Sequence, residues 1–507
     1  MPKLSRRQAA QATSWAAVLG IAPAASAAGT PGPAVYTRIG GQPFINLTAT
    51  LTINGGALTR PEVKRAMEEA SHWPVNLNEL MAKVSAHLAP KLGAESAIVT
   101  TGAAAALTHA TAGCIAGRDP EKMQQLPNLA GLKNEVIIPR QSRNAYDHAV
   151  RTVGVRMREV AKPEDLAAAV TDRTAMIMML GTGEVGGPIK LEHLAEIKRK
   201  HGIPILVDAA AELPLNPNPY LSRGASLVAY SGGKFLRGPQ ASGLLIGERE
   251  LIWAAWANAS PHHAFGRALK VGKEEIMGLV AAIDTWTNNY DLDADYRRWS
   301  GWLTSIGDRM EKLGGVKSTL KPPAGASPFP TLDLLWEADR YGVTAGEVGK
   351  KLLDGSPRIM SHADGDGFGF RIRPVAMKEG DARVVADRLE AIFKAAPKGR
   401  SKKSIAAPAG NIAGKWTLDL EFQPGAARHE VFLETSGNKL TGTHRARLGG
   451  GAVEGEIDGS RVAFSSSFRY EGQTLHYDFQ GMLSGSNMSG EVHLGEYGTA
   501  KWKAVRS

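Results

Sequence analysis

Leu206 to Gly247 reads LVDAAAELPLNPNPYLSRGASLVAYSGGKFLRGPQASGLLIG. An apolar run, Ile205 to Asp208, ends in a carboxylate. A second, Leu227 to Tyr230, runs into Ser231-Gly232-Gly233-Lys234, and Gly238-Pro239-Gln240-Ala241-Ser242 leads to a third, Gly243 to Ile246. Short apolar runs bounded by Gly and Pro read as strands buried on both faces, the habit of a mainly parallel sheet. Alone, the strand-end Asp is equally a helix cap and the lysine among glycines a solvated one. Their combination, an acid after one strand and a lysine in a tight turn after the next, sets opposite charges at one sheet edge.

Outward from this segment the pattern repeats. Ala97 to Thr101, Glu135 to Pro139 and Ala175 to Leu180 are further expected strands, with helical stretches between several of them, such as Leu191 to Lys200. This alternation from Ile45 to Phe393 predicts an α/β domain. After about residue 269 the helices lengthen, and a strand at Phe368 to Pro374 precedes a helix at Asp381 to Phe393, giving a smaller C-terminal α/β lobe. Ala395 to Gly410, AAPKGRSKKSIAAPAG, lacks periodicity and reads as a linker. Beyond it, about eight short alternating segments from Lys415 to Trp502, separated by Gly-containing turns, predict an antiparallel β-barrel or sandwich.

The Asp and Lys fit the needs of pyridoxal 5′-phosphate. An acid must keep its pyridine nitrogen protonated so that the ring accepts electrons, and a partly desolvated amine must condense with its aldehyde. Asp208 and Lys234 take these roles. The phosphate needs an anion cradle, and Ile98-Val99-Thr100-Thr101-Gly102-Ala103-Ala104-Ala105 reads as strand, turn and helix start, with Gly102, Ala103 and Ala104 offering backbone N–H groups and Ser231 a hydroxyl. Small residues at a helix start also serve simple packing.

These segments, with VTTGAAAALTHATAGCIAGRDP, IIPRQSRNAYDHAVRTVGV and GRALKVGKEEIMGLVAAI, resemble the selenocysteine-synthase-like (SelA-like) pyridoxal-phosphate proteins, in the branch that includes D-glucosaminate-6-phosphate ammonia-lyase. The resemblance covers about Ile45 to Phe393. It implies a fold-type-I transferase of the aspartate-aminotransferase superfamily, a homodimer or larger homo-oligomer, and a small-molecule amino substrate. The implied chemistry is α,β-elimination from an amino acid or amino-sugar acid, with transamination, selenium-transferase-like transfer and non-catalytic binding as the alternatives. It also places Arg143, Tyr146 and His148 where the family covers the cofactor ring or meets substrate, against a reading as surface helix residues. One of Arg371 and Arg373 would hold a substrate carboxylate while the other pairs with an acid, and Thr182 and Glu184 would contact substrate. Lys270 and Lys273 reach for a phosphate across a dimer or are solvated.

The domain plan is therefore a leader (1–27), an N-terminal segment (28–75), a large cofactor-binding domain (76–268), a small lobe (269–394), a linker (395–410) and a lipocalin-like β-module (411–507) opening and closing with Trp416 and Trp502. In the leader, Ser5-Arg6-Arg7 precedes a weakly apolar stretch and Ala25-Ser26-Ala27, which resembles a twin-arginine (Tat) signal, a Sec signal being the competitor. That implies the Tat translocon as a transient partner, a periplasmic or secreted location and no membrane span in the mature chain. The net charge of +10 is dispersed, without a basic stripe interleaved with aromatics, so nucleic acid is not an expected partner. Cys114 is the single cysteine, which excludes an intramolecular disulfide. His262-His263 lacks a second cluster at ligand spacing, so a loop role is expected there and no metal site.

Overall fold

The computed structural model describes residues 33–399, apart from 289, 325, 326 and 364, and residues 405–507. The expected leader lies outside the described residues. The chain divides into two compact units, one on each side of residue 402.

In the first unit a short strand β1 (Ile45–Asn46) precedes a seven-stranded sheet of β2 (Ser96–Thr100), β3 (Glu135–Pro139), β4 (Arg156–Val160), β5 (Thr174–Leu180), β6 (Ile205–Asp208), β7 (Leu227–Ser231) and β8 (Gly243–Gly247). The spatial order is β2-β8-β7-β6-β5-β3-β4. All pairs are parallel except those of β8, which runs antiparallel to both β2 and β7. Strands β2, β3, β6 and β8 are buried along their whole length, and β5 and β7 up to their last residue, which is why they appear in sequence as largely apolar runs. Strand β4 escaped the sequence reading because it is an edge: Arg156, Arg158 and Glu159 keep it charged, a common protection against edge pairing.

Helix Ala103–Ala116 crosses the sheet as its most deeply buried helix. Its Gly113 has no room for a side chain, since a Cβ would lie 2.8 Å from the backbone N of Ala255 on the neighbouring helix Arg249–Ala257. Helix Leu77–Lys91 starts on the side chain of Asn76, which accepts from the N–H groups of Asn78 and Glu79.

The small lobe is a three-stranded antiparallel sheet of β9 (Val316–Lys321), β10 (Thr331–Trp336) and β12 (Gly369–Ile372), in order β12-β10-β9. Helices Leu292–Glu311, Ala345–Asp354 and Asp381–Lys394 bury Leu303, Ile306, Val348, Leu352, Val385 and Leu389 in its core. Thr344 and Glu347 close a reciprocal capping box on the second of these. The start of the N-terminal segment joins this lobe: β1 pairs in parallel with β11 (Ile359–Met360), and Thr48 bridges Arg373.

The second unit is a closed barrel of β13 (Gly414–Phe422), β14 (Gly425–Ser436), β15 (Lys439–Ala446), β16 (Gly449–Asp458), β17 (Arg461–Tyr470), β18 (Gln473–Ser484), β19 (Asn487–His493) and β20 (Thr499–Arg506). Every strand pairs with its sequence neighbour, and β20 returns to β13, so the barrel alternative of the sequence reading is the one adopted. Trp416 and Trp502 are both internal, their indole N–H groups donating to Ile412 O and to Gln480 O and Glu491 O.

Two predictions follow from this packing. A Cβ at Gly243 would stand 2.3 Å from the carbonyl carbon of Gly102, so Gly243→Ala is expected to cost about 1–3 kcal/mol in denaturant unfolding. Burial pushes the Cys114 thiol up to about 12, so iodoacetamide at pH 8 should leave it intact in the native protein and label it after denaturation.

Candidate functional site

Asp208 closes β6 and Lys234 follows β7, so the sheet brings them together at the C-terminal ends of neighbouring parallel strands. Asp208 is 2% exposed. Burial pushes its carboxyl above the ordinary range, opposed by the Ala210 N–H, which donates to Oδ1 at 3.1 Å, and by the charge of Lys234. Burial also lowers the Lys234 ammonium, opposed by Asp208. Each group is the other's counter-charge, and the amine is biased toward the neutral, nucleophilic form.

The turn that presents Lys234 is locked. Gly232 N–H donates to Ser242 O, Gly238 N–H to Gly232 O and Arg237 N–H to Lys234 O. A Cβ on Gly232 would fall 2.1 Å from Ser242 Oγ, and one on Gly233 would fall 2.7 Å from Gln240 Cα. The pair of glycines is thus a packing requirement of the turn. Arg237 completes it in the left-handed region, at φ 56°, with its Nε–H donating to Leu58 O. The N-terminal segment braces the loop through Ala57 N–H to Gly233 O and Arg60 N–H to Arg237 O.

Tyr146, on the turn before helix Asp147–Arg151, lies with its ring centroid 5.5 Å from Lys234 Nζ. It is 57% exposed, an aromatic left facing the lysine rather than the core. Helix Ala103–Ala116 begins at Gly102, φ 144°, with no side-chain cap, so its first N–H groups remain available, and Thr100 Oγ1 donates to Gly102 O to shape the turn. Gly102, Ala103 and Ala104 line this cradle, and Ser231 ends β7 before the lysine turn.

The remaining expected residues separate into two groups. Arg371 on β12 is held by Asp333 of β10 through Nε and Nη2, at 2.5 and 2.9 Å, and Lys321 joins the same carboxylate. The Arg371 contact foremost brings the Asp333 carboxyl down to about 2. Arg373, two residues on, keeps a buried Nη1 with no partner. Its surroundings adjoin the lysine turn, because Ala49 and Val375 pack in one cluster with Phe235. Arg143 is drawn into an ion-pair network with Asp147, at 2.6 Å, and with Glu159. His148 is exposed in the first turn of its helix. Thr182 and Glu184 form a single 3-10 turn after β5. Burial opposes the Glu184 charge, but Arg223 and the Leu191 N–H hold its carboxyl below the usual range. Lys273 pairs with Glu274, and the His262 ring stands edge-on to Trp256.

One residue was not singled out from sequence. Glu212, four positions after Asp208, accepts from Tyr220 Oη at 2.6 Å while its Oε1 is buried and unpartnered. That oxygen sits over Gly181 at the end of β5, where a Cβ would meet it at 2.4 Å. Burial, reinforced by Asp208, pushes the carboxyl toward its protonated form despite Tyr220. Its only sequence signal was an acid amid small residues in DAAAELP.

These residues fit pyridoxal phosphate. A buried carboxylate at a strand end suits a pyridinium nitrogen, a desolvated lysine suits an aldehyde, and an uncapped helix start suits a phosphate.

A family model described as L-seryl-tRNA selenium transferase (SelA) matches residues 77–297. The 5′-C-glycyluridine monooxygenase-decarboxylase of a Streptomyces species is 30% identical over 340 residues, covering 64% of this chain and 83% of that protein. The D-glucosaminate-6-phosphate ammonia lyase of Salmonella typhimurium is 25% identical over 372 residues, covering 71% and 98% respectively. A solved structure of a D-glucosaminate-6-phosphate ammonia-lyase superposes with a TM-score of 0.64 at 25% identity, across 72% of this chain and all of that one. The chain belongs to the SelA-like family of pyridoxal-phosphate-dependent enzymes of fold type I.

Proposed function

We propose that this enzyme eliminates water from a β-hydroxylated amino acid or amino-sugar acid, and that the resulting enamine takes up water again to give a 2-oxo acid and ammonia. The reading rests on the opposed pair Asp208 and Lys234, on the unpaired Arg373 and on the similarity to an ammonia lyase. Pyridoxal phosphate, when bound, supplies an aldehyde for the substrate amine and a ring that accepts electron density from the α-carbon. Lys234 would bind that aldehyde through Nζ and, once displaced by substrate, take the proton from Cα. Asp208 would keep the ring nitrogen protonated. The N–H groups after Gly102, with Ser231, would hold the phosphate, Tyr146 would cover the reacting face, and Arg373 Nη1 would orient the substrate carboxylate. The enzyme would work as a homodimer or larger assembly in the periplasm. There, a cofactor bound before export through the Tat system would need no external supply.

A second reading has its own support, the 30% identity to a monooxygenase-decarboxylase, and would consume oxygen and release carbon dioxide from an amino acid.

The test is the visible spectrum of the purified protein with pyridoxal phosphate, wild type beside Lys234→Ala, followed by hydroxylated amino acids and amino-sugar acids. A band present only in the wild type and shifted by one compound class, with ammonia released in equal amount to 2-oxo acid, is the expected result. Oxygen uptake with carbon dioxide release would favour the second reading. No band in either protein would overturn the assignment of Lys234. Arg373→Lys should raise KM about tenfold or more with a smaller change in kcat, because the bidentate donor is lost.

A further inference from the structure

The barrel is filled unevenly. Toward one end its inward side chains are bulky, Trp416, Leu433, Leu440, Ile457, Val462 and Met488, and close-packed. Toward the other end the inward positions of β14, β15, β16 and β20 shrink to Ala427, Ala446, Gly449, Gly451 and Ala500, facing the rings of Phe468 and Tyr477 on β17 and β18, and polar groups enter the interior. His429 and His444 are 6% and 2% exposed, with His429 Nδ1 and His444 Nε2 2.9 Å apart, so one hydrogen bond joins the two rings. That bond uses one nitrogen of His444 and leaves Nδ1 buried without a partner; Ser466 Oγ, in a residue 5% exposed, is likewise unpartnered. Buried polar atoms without partners are rare and costly, about 1–3 kcal/mol each, so two in one chamber call for a third party. Stacked rings of Phe468, Tyr477 and Phe479 wall the chamber.

The loops at this end differ from those at the other. Each of the four carries or adjoins an exposed large apolar residue: Phe422, Leu448, Tyr470 and Tyr497, at 38%, 43%, 39% and 60% exposure. Phe422 and Tyr470 continue the inward-facing series of β13 and β17, so they overhang the mouth. The connecting turns at the opposite end are Gly437-Asn438, Gly459-Ser460 and Gly485-Ser486, with no large apolar side chain. No inward position at the mouth end is Asp, Glu, Lys or Arg.

We propose that this end of the barrel is a binding site for a small uncharged molecule with an aromatic or apolar body and one hydrogen-bonding group. The body would pass the rim of Phe422, Leu448, Tyr470 and Tyr497 and lie against Phe468 and Tyr477. The polar group would meet His444 Nδ1 and Ser466 Oγ. An eight-stranded barrel is wide enough for its own side chains or for one small ligand, and here the close-packed aliphatic side chains lie toward one end while two unmet polar atoms lie toward the other. The absence of charge at the inward positions disfavours an ionised guest.

The test uses the full chain and two probes, p-cresol and toluene, which share a ring and differ in one hydroxyl, titrated by ligand-observed NMR. Saturable p-cresol binding is expected, with toluene about tenfold weaker, the worth of one hydrogen bond to a buried group. Ser466→Ala and His444→Phe should each remove that preference, and Tyr470→Ser should weaken both probes. Lys234→Ala should change neither, which separates this site from the one described above. Should His444→Phe fail to fold, Ser466→Ala and Tyr470→Ser carry the test. No saturable binding of either probe, equal binding of both, or loss of binding in Lys234→Ala would each overturn the proposal. So would rim substitutions that alter only self-association or vesicle binding.

Discussion

Everything in the first unit is arranged around the burial of two opposite charges that are not allowed to satisfy each other fully. Asp208 and Lys234 stand at adjacent strand ends, each pushed toward its neutral form by its surroundings and each pulled back by the other. Removing either would leave an uncompensated buried charge, the costly half of a buried ion pair. Such a pair persists where a further charged partner is to be accommodated, and a pyridinium ring with an aldehyde is such a partner.

Holding that pair requires a turn with almost no freedom. Gly232 and Gly233 are compressed between Ser242, Gln240 and Leu279, Arg237 takes a backbone conformation that side chains rarely adopt, and a segment 177 residues upstream, Ala57 to Arg60, is stitched to the turn by main-chain bonds. The residues just before that segment supply β1 and Thr48 to the small lobe. One stretch of chain therefore touches both the lysine turn and the strand that carries Arg373, and coordinates the two lobes without belonging wholly to either.

Apart from its charged edge strand β4, the large sheet was legible because its strands are buried on both faces and announce themselves as apolar runs ended by Gly, Pro or Asp. The barrel was legible through strict alternation, and its closure was not, since a barrel and a sandwich share one alternation and differ only in whether β13 meets β20. Lys234 and Asp208 could be read because strand, turn and charge coincide. The partners of Arg371 and Glu184, and the second partner of Arg143, could not, because Asp333, Arg223 and Glu159 reach them only through tertiary pairing. Glu212 was hidden for the opposite reason: its distinction is an unmet hydrogen bond, which has no signature in composition or period.

The closure of the barrel has a consequence for the order in which the protein can be made. β13 is completed by two neighbours, β14, which follows it at once, and β20, the last strand of the barrel to be made. Until β20 has left the ribosome, β13 presents one bare edge, and no part of the barrel is a finished unit. The lobes ahead of it have no such dependence and can be complete while that edge is open. Premature termination anywhere in the last strand would thus yield a folded first unit tethered to an unclosed sheet, a sticky product that quality control could recognise by its edge.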